Sequence, residues 1–163
     1  MSSTATVPTS RTQAPTRRVR MLVADDSQTA RESVLAYLRS RGDIEILAVC
    51  ENGRLAVEAA LRREPDVVLL DLQMPVMSGL EAAEIFRNSM PHVGVIVTSM
   101  QDRIEVREAS LAGGADAFVG KEALAGHFSE VLRAVLALTR APERHRRAPH
   151  FVSRPLTDLF APP

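Results

Sequence analysis

Short apolar runs alternate with amphipathic stretches along most of the chain. Each apolar run is bounded by polar or turn-forming residues, which is typical of strands buried on both faces of a parallel sheet. Each stretch between two runs repeats apolar residues three and four positions apart, which predicts a helix packed by one face. The predicted strands are 19–24, 45–50, 67–70, 93–97 and 117–119, and the predicted helices are 28–39, 54–63, 79–88, 103–112 and 124–139.

Five strands that alternate with five helices predict an α/β fold with one parallel sheet. Ser27 and Ser78 stand where helix N-caps belong, and the Glu64-Pro65 step ends the second helix. In open sheets of this kind, ligands bind beyond the carboxyl ends of the strands. The pattern therefore directs attention to the residues that follow each strand.

Two flanking segments lack this periodicity. Residues 1–18 are rich in Ser, Thr, Pro and Ala, and we expect a disordered basic tail there. Residues 140–163 are rich in Pro and Arg, and we expect a second tail there rather than an output domain. The domain itself is predicted to span residues 19–139.

Charge and composition limit the function classes. The formal net charge is zero, but residues 21–139 carry 11 basic and 18 acidic side chains, which argues against nucleic acid as the main partner. The single cysteine, Cys50, cannot form a disulfide within the chain, as is typical of cytoplasmic proteins. No apolar run approaches the ~18 residues of a membrane span, and the N-terminus lacks a secretory pattern. We therefore expect a cytoplasmic protein without membrane insertion.

Polar side chains that can take part in a reaction or bind a metal follow four of the strands. They are Asp25, Asp26, Asp71, Thr98 and Lys121. Three carboxylates in one crevice repel one another, which implies a bound cation, and hard oxygen ligands favour Mg²⁺. Asp71 is then placed to act as a nucleophile on phosphorus, while Lys121 and Thr98 interact with phosphoryl oxygens.

Five segments of the sequence carry a family resemblance. They are Asp25-Asp26, DLQMP from Asp71 to Pro75, Ser78-Gly79, Val97-Thr98, and GGADAFVGK from Gly113 to Lys121. Together they resemble the receiver domain of two-component response regulators, in a single-domain, chemotaxis-regulator-like form that covers residues 19–139. Many relatives have proline at the position of Glu122. In having glutamate there, the sequence is similar to receivers that usually carry a helix-turn-helix.

The resemblance implies a flavodoxin-like, doubly wound sheet in the order 2-1-3-4-5 with helices on both faces. It implies that Asp26, Asp71 and the Gln73 backbone carbonyl bind Mg²⁺ directly and that Asp25 acts through water. Asp71 is then the phosphoacceptor, and a histidine kinase or a phosphotransfer protein is the donor.

The resemblance also implies a conformational switch. Thr98 would move towards the phosphoryl group on Asp71, and Phe118 would turn inward into the vacated space. A fixed position of Phe118 in the core is the alternative. The face formed by the fourth helix, the fifth strand and the fifth helix would then contact an unknown output protein, or form a homodimer through helices four and five.

We expect the chain to signal by protein–protein contact and not to turn over a substrate as an enzyme. One alternative is a receiver fold that binds partners without phosphorylation, and another is an intermediate in a phosphorelay. A phosphatase-like enzyme with an aspartyl-phosphate commonly needs an acid two residues after the nucleophile. This chain has Gln73 at that position.

Overall fold

The computed structural model describes residues 17–141, in which five strands and five helices alternate. The predictions made for residues 1–16 and 142–163 lie outside the described residues. The strands are β1 (Val19–Ala24), β2 (Ile44–Cys50), β3 (Val67–Asp71), β4 (Gly94–Ser99) and β5 (Ala117–Gly120). The helices are α1 (Gln28–Arg39), α2 (Gly53–Arg63), α3 (Gly79–Ser89), α4 (Ile104–Ala112) and α5 (Leu124–Arg140).

The five strands form one parallel sheet in the order β2-β1-β3-β4-β5. The predicted α/β fold and strand order are therefore confirmed. All five residues of β3 and all six of β4 are buried, because both strands lie inside the sheet with helices over both faces.

Two apolar clusters, one on each face of the sheet, form the core. On one face, α1 and α5 pack against the sheet around Phe128, which is fully buried. On the other face, α2 and α3 pack around Phe86, which is also fully buried. Each such phenylalanine contributes roughly 1.5–3 kcal/mol to folding by leaving water.

Side-chain caps fix where three helices begin near the carboxyl edge of the sheet. The side chains of Ser27, Asn52 and Ser78 accept hydrogen bonds from backbone amides in the first turns of α1, α2 and α3. At Ser78 the cap is reciprocal, because the Glu81 carboxylate accepts a hydrogen bond from the Ser78 amide at 2.8 Å. These caps set the geometry of the loops that lie between the strand ends and the helices.

The carboxyl ends of β3, β4 and β5 extend one or two residues further than the sequence pattern predicted. The pairing of β3 with β4 continues to Asp71 and Thr98, which stand opposite each other in the ladder. Thr98 therefore lies within β4, which ends two residues later than predicted, and the prediction that Thr98 follows the strand was wrong. An apolar pattern ends at the first polar side chain, whereas the backbone ladder continues.

Within residues 17–141, the structure contains no helix of the length and apolar character that crossing a membrane requires.

Two glycines give opposite predictions for stability. A Cβ at Gly94 would overlap the Cγ1 atom of Val135, which is fully buried and β-branched, whereas a Cβ at Gly126 in α5 meets nothing within 4 Å. We expect Gly94→Ala to lower the free energy of unfolding by about 1–3 kcal/mol. Gly126→Ala should raise it by about 0.4–1 kcal/mol, because alanine is the better helix former. Urea unfolding of the full chain measures both, and equal effects of the two changes would contradict the packing described here.

Candidate functional site

The strand-end residues singled out in the sequence come together at the carboxyl edge of the sheet. Asp25 and Asp26 directly follow β1, and Asp71 is the last residue of β3. Thr98 lies near the end of β4, and Lys121 directly follows β5. The strand order places β1, β3 and β4 side by side, so the topology itself produces this convergence.

Three carboxylates form the centre of the site. One oxygen from each of Asp25, Asp26 and Asp71 lies within 4.8 Å of the other two. Asp25 and Asp71 are buried, with 3% and 6% of their surfaces exposed, whereas Asp26 is exposed. The cluster therefore opens to solvent on the side of Asp26.

The ammonium group of Lys121 lies between the two buried carboxylates. Its Nζ atom is 2.6 Å from Asp25 Oδ2 and 2.7 Å from Asp71 Oδ1. Lys121 is also the only lysine in the sequence, in which every other basic residue apart from histidine is arginine. That isolation is a signal in the sequence that singles out position 121, since lysine and arginine are not interchangeable in such contacts.

Burial and charge shift the protonation of this pair. Burial raises the pKa of the Asp71 carboxyl above its ordinary value, and the hydrogen bond and charge of Lys121 offset the rise only in part. Burial also acts to lower the pKa of Lys121, but its hydrogen bonds to Asp25 and Asp71 outweigh this effect, so that its pKa is raised. Lys121 therefore stays charged, while Asp71 carries its negative charge at an energetic cost.

The backbone around Asp71 is held at several points. The Gln73 amide donates to Asp71 Oδ2 at 3.1 Å, and the Leu72 amide donates to the Thr98 carbonyl at 2.8 Å. A Cβ at Gly79 would overlap the carbonyl oxygen of Asp71. In the sequence Gly79 is recognisable only as part of the Ser78-Gly79 motif, and the close approach of α3 to the end of β3 explains why glycine stands there.

Thr98 and Phe118 lie next to the site and are both buried. The Thr98 hydroxyl lies 3.4 Å from the Leu70 carbonyl, which is at the weak limit of a hydrogen bond. Phe118 is 8% exposed, and the guanidinium of Arg107 in α4 lies 5.5 Å from its ring centroid. Two hydrogen bonds of 2.8 Å from Arg107 to the Asp102 carboxylate hold that guanidinium in place.

The donor set of the cluster suits a hard divalent cation. All three groups are carboxylates, and three negative groups face one ammonium, so the cluster carries a formal excess of negative charge. Mg²⁺ prefers a few carboxylate oxygens together with water, and the exposed side at Asp26 leaves room for water. The arrangement can thus hold a cation beside Asp71 and leave an Asp71 oxygen available for chemistry.

A family model and two related proteins match the sequence of this chain. The model of the response regulator receiver domain matches residues 21–133. Transcriptional regulatory protein LnrK of Bacillus subtilis is 33% identical over 105 residues, which cover 64% of this chain and 47% of that protein. A protein-glutamate methylesterase/protein-glutamine glutaminase of Archaeoglobus fulgidus is 40% identical over 105 residues, which cover 63% of this chain and 30% of that protein. The chain thus spans less than half the length of either relative.

A solved structure has the same fold over nearly the whole of its own length. The response regulator domain of Thermotoga maritima CheB superposes with a TM-score of 0.67 and 26% identity, covering 74% of this chain and 98% of that one. The strand order, the acidic cluster at the sheet edge and the match of the family model to most of the chain lead to one conclusion. This chain belongs to the family of response regulator receiver domains.

Proposed function

We propose that the domain accepts a phosphoryl group on Asp71 from a histidine kinase or a phosphotransfer protein. The observation that carries the proposal is the convergence of Asp71 with two further carboxylates and the ammonium of Lys121. In the transfer, a bond forms between an Asp71 oxygen and phosphorus, and the bond from phosphorus to the donor breaks. Such transfers depend on positioning and on neutralising the charge of the phosphoryl oxygens.

The acidic cluster would hold Mg²⁺. Asp26 and Asp71 would bind it directly together with the Gln73 backbone carbonyl, and Asp25 would act through water. When bound, the ion supplies positive charge next to the phosphorylated oxygen. The close approach of the three carboxylates, within 4.8 Å of one another, supports this assignment.

Lys121 and Thr98 would each serve one phosphoryl oxygen. The Lys121 ammonium is already 2.7 Å from Asp71 Oδ1, so it lies within reach of a group attached to that carboxylate. The Thr98 hydroxyl has only a weak interaction, at 3.4 Å from Leu70, so little stabilisation is lost when it rotates towards a phosphoryl oxygen.

The signal would pass from Thr98 to α4 through Phe118. Phe118 is adjacent to Val97 in the β4–β5 ladder, one residue from Thr98, and Arg107 of α4 covers its ring. A change in the position of Phe118 therefore acts on the Arg107–Asp102 pair and on α4. Ile104 in this helix is 61% exposed, and such apolar exposure suits contact with an output protein or a second copy of the domain.

The direct test is phosphorylation in the presence of Mg²⁺ and acetyl phosphate, followed by intact mass. We expect wild type to gain one phosphoryl group and Asp71→Asn to gain none. Asp43→Asn, which alters an exposed aspartate paired with Arg41, is the matched control and should gain the group normally. The mass also separates a phosphoryl adduct from acetylation of Lys121.

Absence of a gain in wild type, with a known receiver phosphorylated in parallel, contradicts the proposal and favours a binding module that works without phosphorylation. Rapid consumption of many donor molecules per chain would instead indicate a phosphatase-like enzyme.

Removal of the ammonium group should slow the transfer. We expect Lys121→Met to reduce the rate of phosphorylation by acetyl phosphate about 100-fold, because one preorganised positive group is lost from the transition state. Arg63→Met is the control, since it removes a cation whose side chain donates to the Leu47 carbonyl and lies at the last residue of α2. Circular dichroism establishes that both variants fold, and a rate within threefold of wild type for Lys121→Met would exclude the assigned role.

The raised pKa of Asp71 gives a pH-dependent prediction for stability, measured by urea unfolding with a chelator present. Burial raises this pKa above 3.8, so the charged carboxylate destabilises the folded state increasingly as pH rises through the folded pKa. Asp71→Asn should therefore be more stable than wild type at pH 7, and the difference should shrink as pH falls through the folded pKa of Asp71 towards its unfolded value of about 4, below which it stays constant. Mg²⁺ should stabilise wild type and reduce the difference.

The control for this pH experiment has the opposite sign. The hydrogen bond from Arg41 lowers the pKa of Asp43, so Asp43 stabilises the fold at neutral pH and loses that effect in acid. Asp43→Asn should therefore be less stable than wild type at pH 7. If Asp71→Asn also lost stability at pH 7 without metal, the description of the acidic cluster would be wrong.

A further inference from the structure

Arg31, in the first turn of α1, contacts the backbone of the loop that carries two of the three carboxylates. Its Nη1 atom donates to the Asp25 carbonyl at 2.6 Å and to the Asp26 carbonyl at 3.0 Å. The side chain is half-buried, and the Arg31 amide donates to the Ser27 carbonyl at 2.9 Å. The helix thus holds Arg31 in place, and Arg31 in turn holds the loop.

The other contacts of this loop restrain mainly its first residue. The Asp25 amide donates to the Cys50 carbonyl at 3.1 Å, and the Asp25 side chain accepts from the Ser27 amide at 3.0 Å. Asp26 is exposed, and within residues 17–141 its carbonyl is restrained by the guanidinium of Arg31. Arg31 is therefore the side chain that restrains the Asp26 backbone, from which the exposed carboxylate extends.

The loop needs such a restraint because its side chains repel one another. One carboxylate oxygen from each of Asp25, Asp26 and Asp71 lies within 4.8 Å of the other two. An unrestrained loop would relieve this repulsion by moving away from Asp71. Hydrogen bonds from a charged donor are stronger than those from a neutral donor, and one guanidinium nitrogen here binds two consecutive carbonyls.

We propose that Arg31 is a positioning residue. By holding the loop backbone, it keeps the Asp25 and Asp26 carboxylates close enough to Asp71 for the three to bind one divalent cation. The inference rests on the proposed Mg²⁺ site. Residues that orient metal ligands commonly contribute ten- to a hundredfold to metal affinity.

A purely electrostatic role of Arg31 predicts the opposite effect. A positive charge behind the loop repels a bound cation, so its removal would strengthen Mg²⁺ binding if charge were its only influence. Loss of the two hydrogen bonds would weaken binding. The sign of the change in affinity therefore distinguishes the two roles.

The experiment is calorimetric titration of the full chain with Mg²⁺, comparing wild type, Arg31→Met and Arg63→Met. Arg63 is a matched control, because its Nη1 atom also donates to a backbone carbonyl, that of Leu47, at 2.9 Å. Arg63 is the last residue of α2, whereas the site lies beside the first residues of that helix. We expect Arg31→Met to raise the dissociation constant about tenfold. Arg63→Met should leave it unchanged. Urea unfolding without metal reports any loss of stability separately from the loss of affinity.

A dissociation constant for Arg31→Met equal to or below that of wild type overturns the proposal. If Arg31→Met does not fold, Arg31→Lys replaces it, because lysine keeps the charge and lacks the planar guanidinium. Its affinity must then be lower than that of wild type, and equal or tighter binding overturns the proposal. If wild type does not bind Mg²⁺, the proposed metal site is wrong and this inference fails with it. Normal wild-type binding with an unaffected variant would remove the inference alone.

Discussion

The mutual repulsion of three carboxylates at one edge of the sheet is the constraint on which the site depends. Two unit charges 4.8 Å apart, the outer limit for Asp25, Asp26 and Asp71, repel by about 3.5 kcal/mol near a protein surface. Lys121 offsets part of that repulsion, through contacts of 2.6 and 2.7 Å, but one ammonium cannot balance three carboxylates. The folded chain therefore retains an affinity for added positive charge beside Asp71.

The fold maintains this unfavourable arrangement because the backbone around Asp71 is held by the sheet and by α3. Asp71 is paired with Thr98 in the β3–β4 ladder, and α3 approaches the Asp71 carbonyl so closely that only glycine fits at position 79. In the loop between Asp71 and Gly79, Val76 has a φ of 68°, which is unfavourable for a β-branched residue. The core of the domain thus provides the energy that keeps the acids together.

The order of the elements and the convergence of the site could be predicted from the sequence, and the contacts behind them could not. Apolar runs locate the strands, and parallel topology brings Asp25, Asp71 and Lys121 to one edge whatever the side-chain details. The insertion of Lys121 between two carboxylates, and the packing of Arg107 on Phe118, depend on side-chain directions that a hydrophobic pattern does not contain. The roles of Gln73, Thr98 and Phe118 in binding and switching remain predictions.

The most direct test of the account is an Mg²⁺ titration followed by amide chemical shifts in a ¹H–¹⁵N spectrum of the full chain. We expect saturable shifts concentrated at Asp25, Asp26, Asp71 and their sequence neighbours, and we expect these shifts to be lost in Asp71→Asn. Shifts spread over exposed acids such as Glu105 and Glu108 in α4, with no preference for the sheet edge, would contradict it.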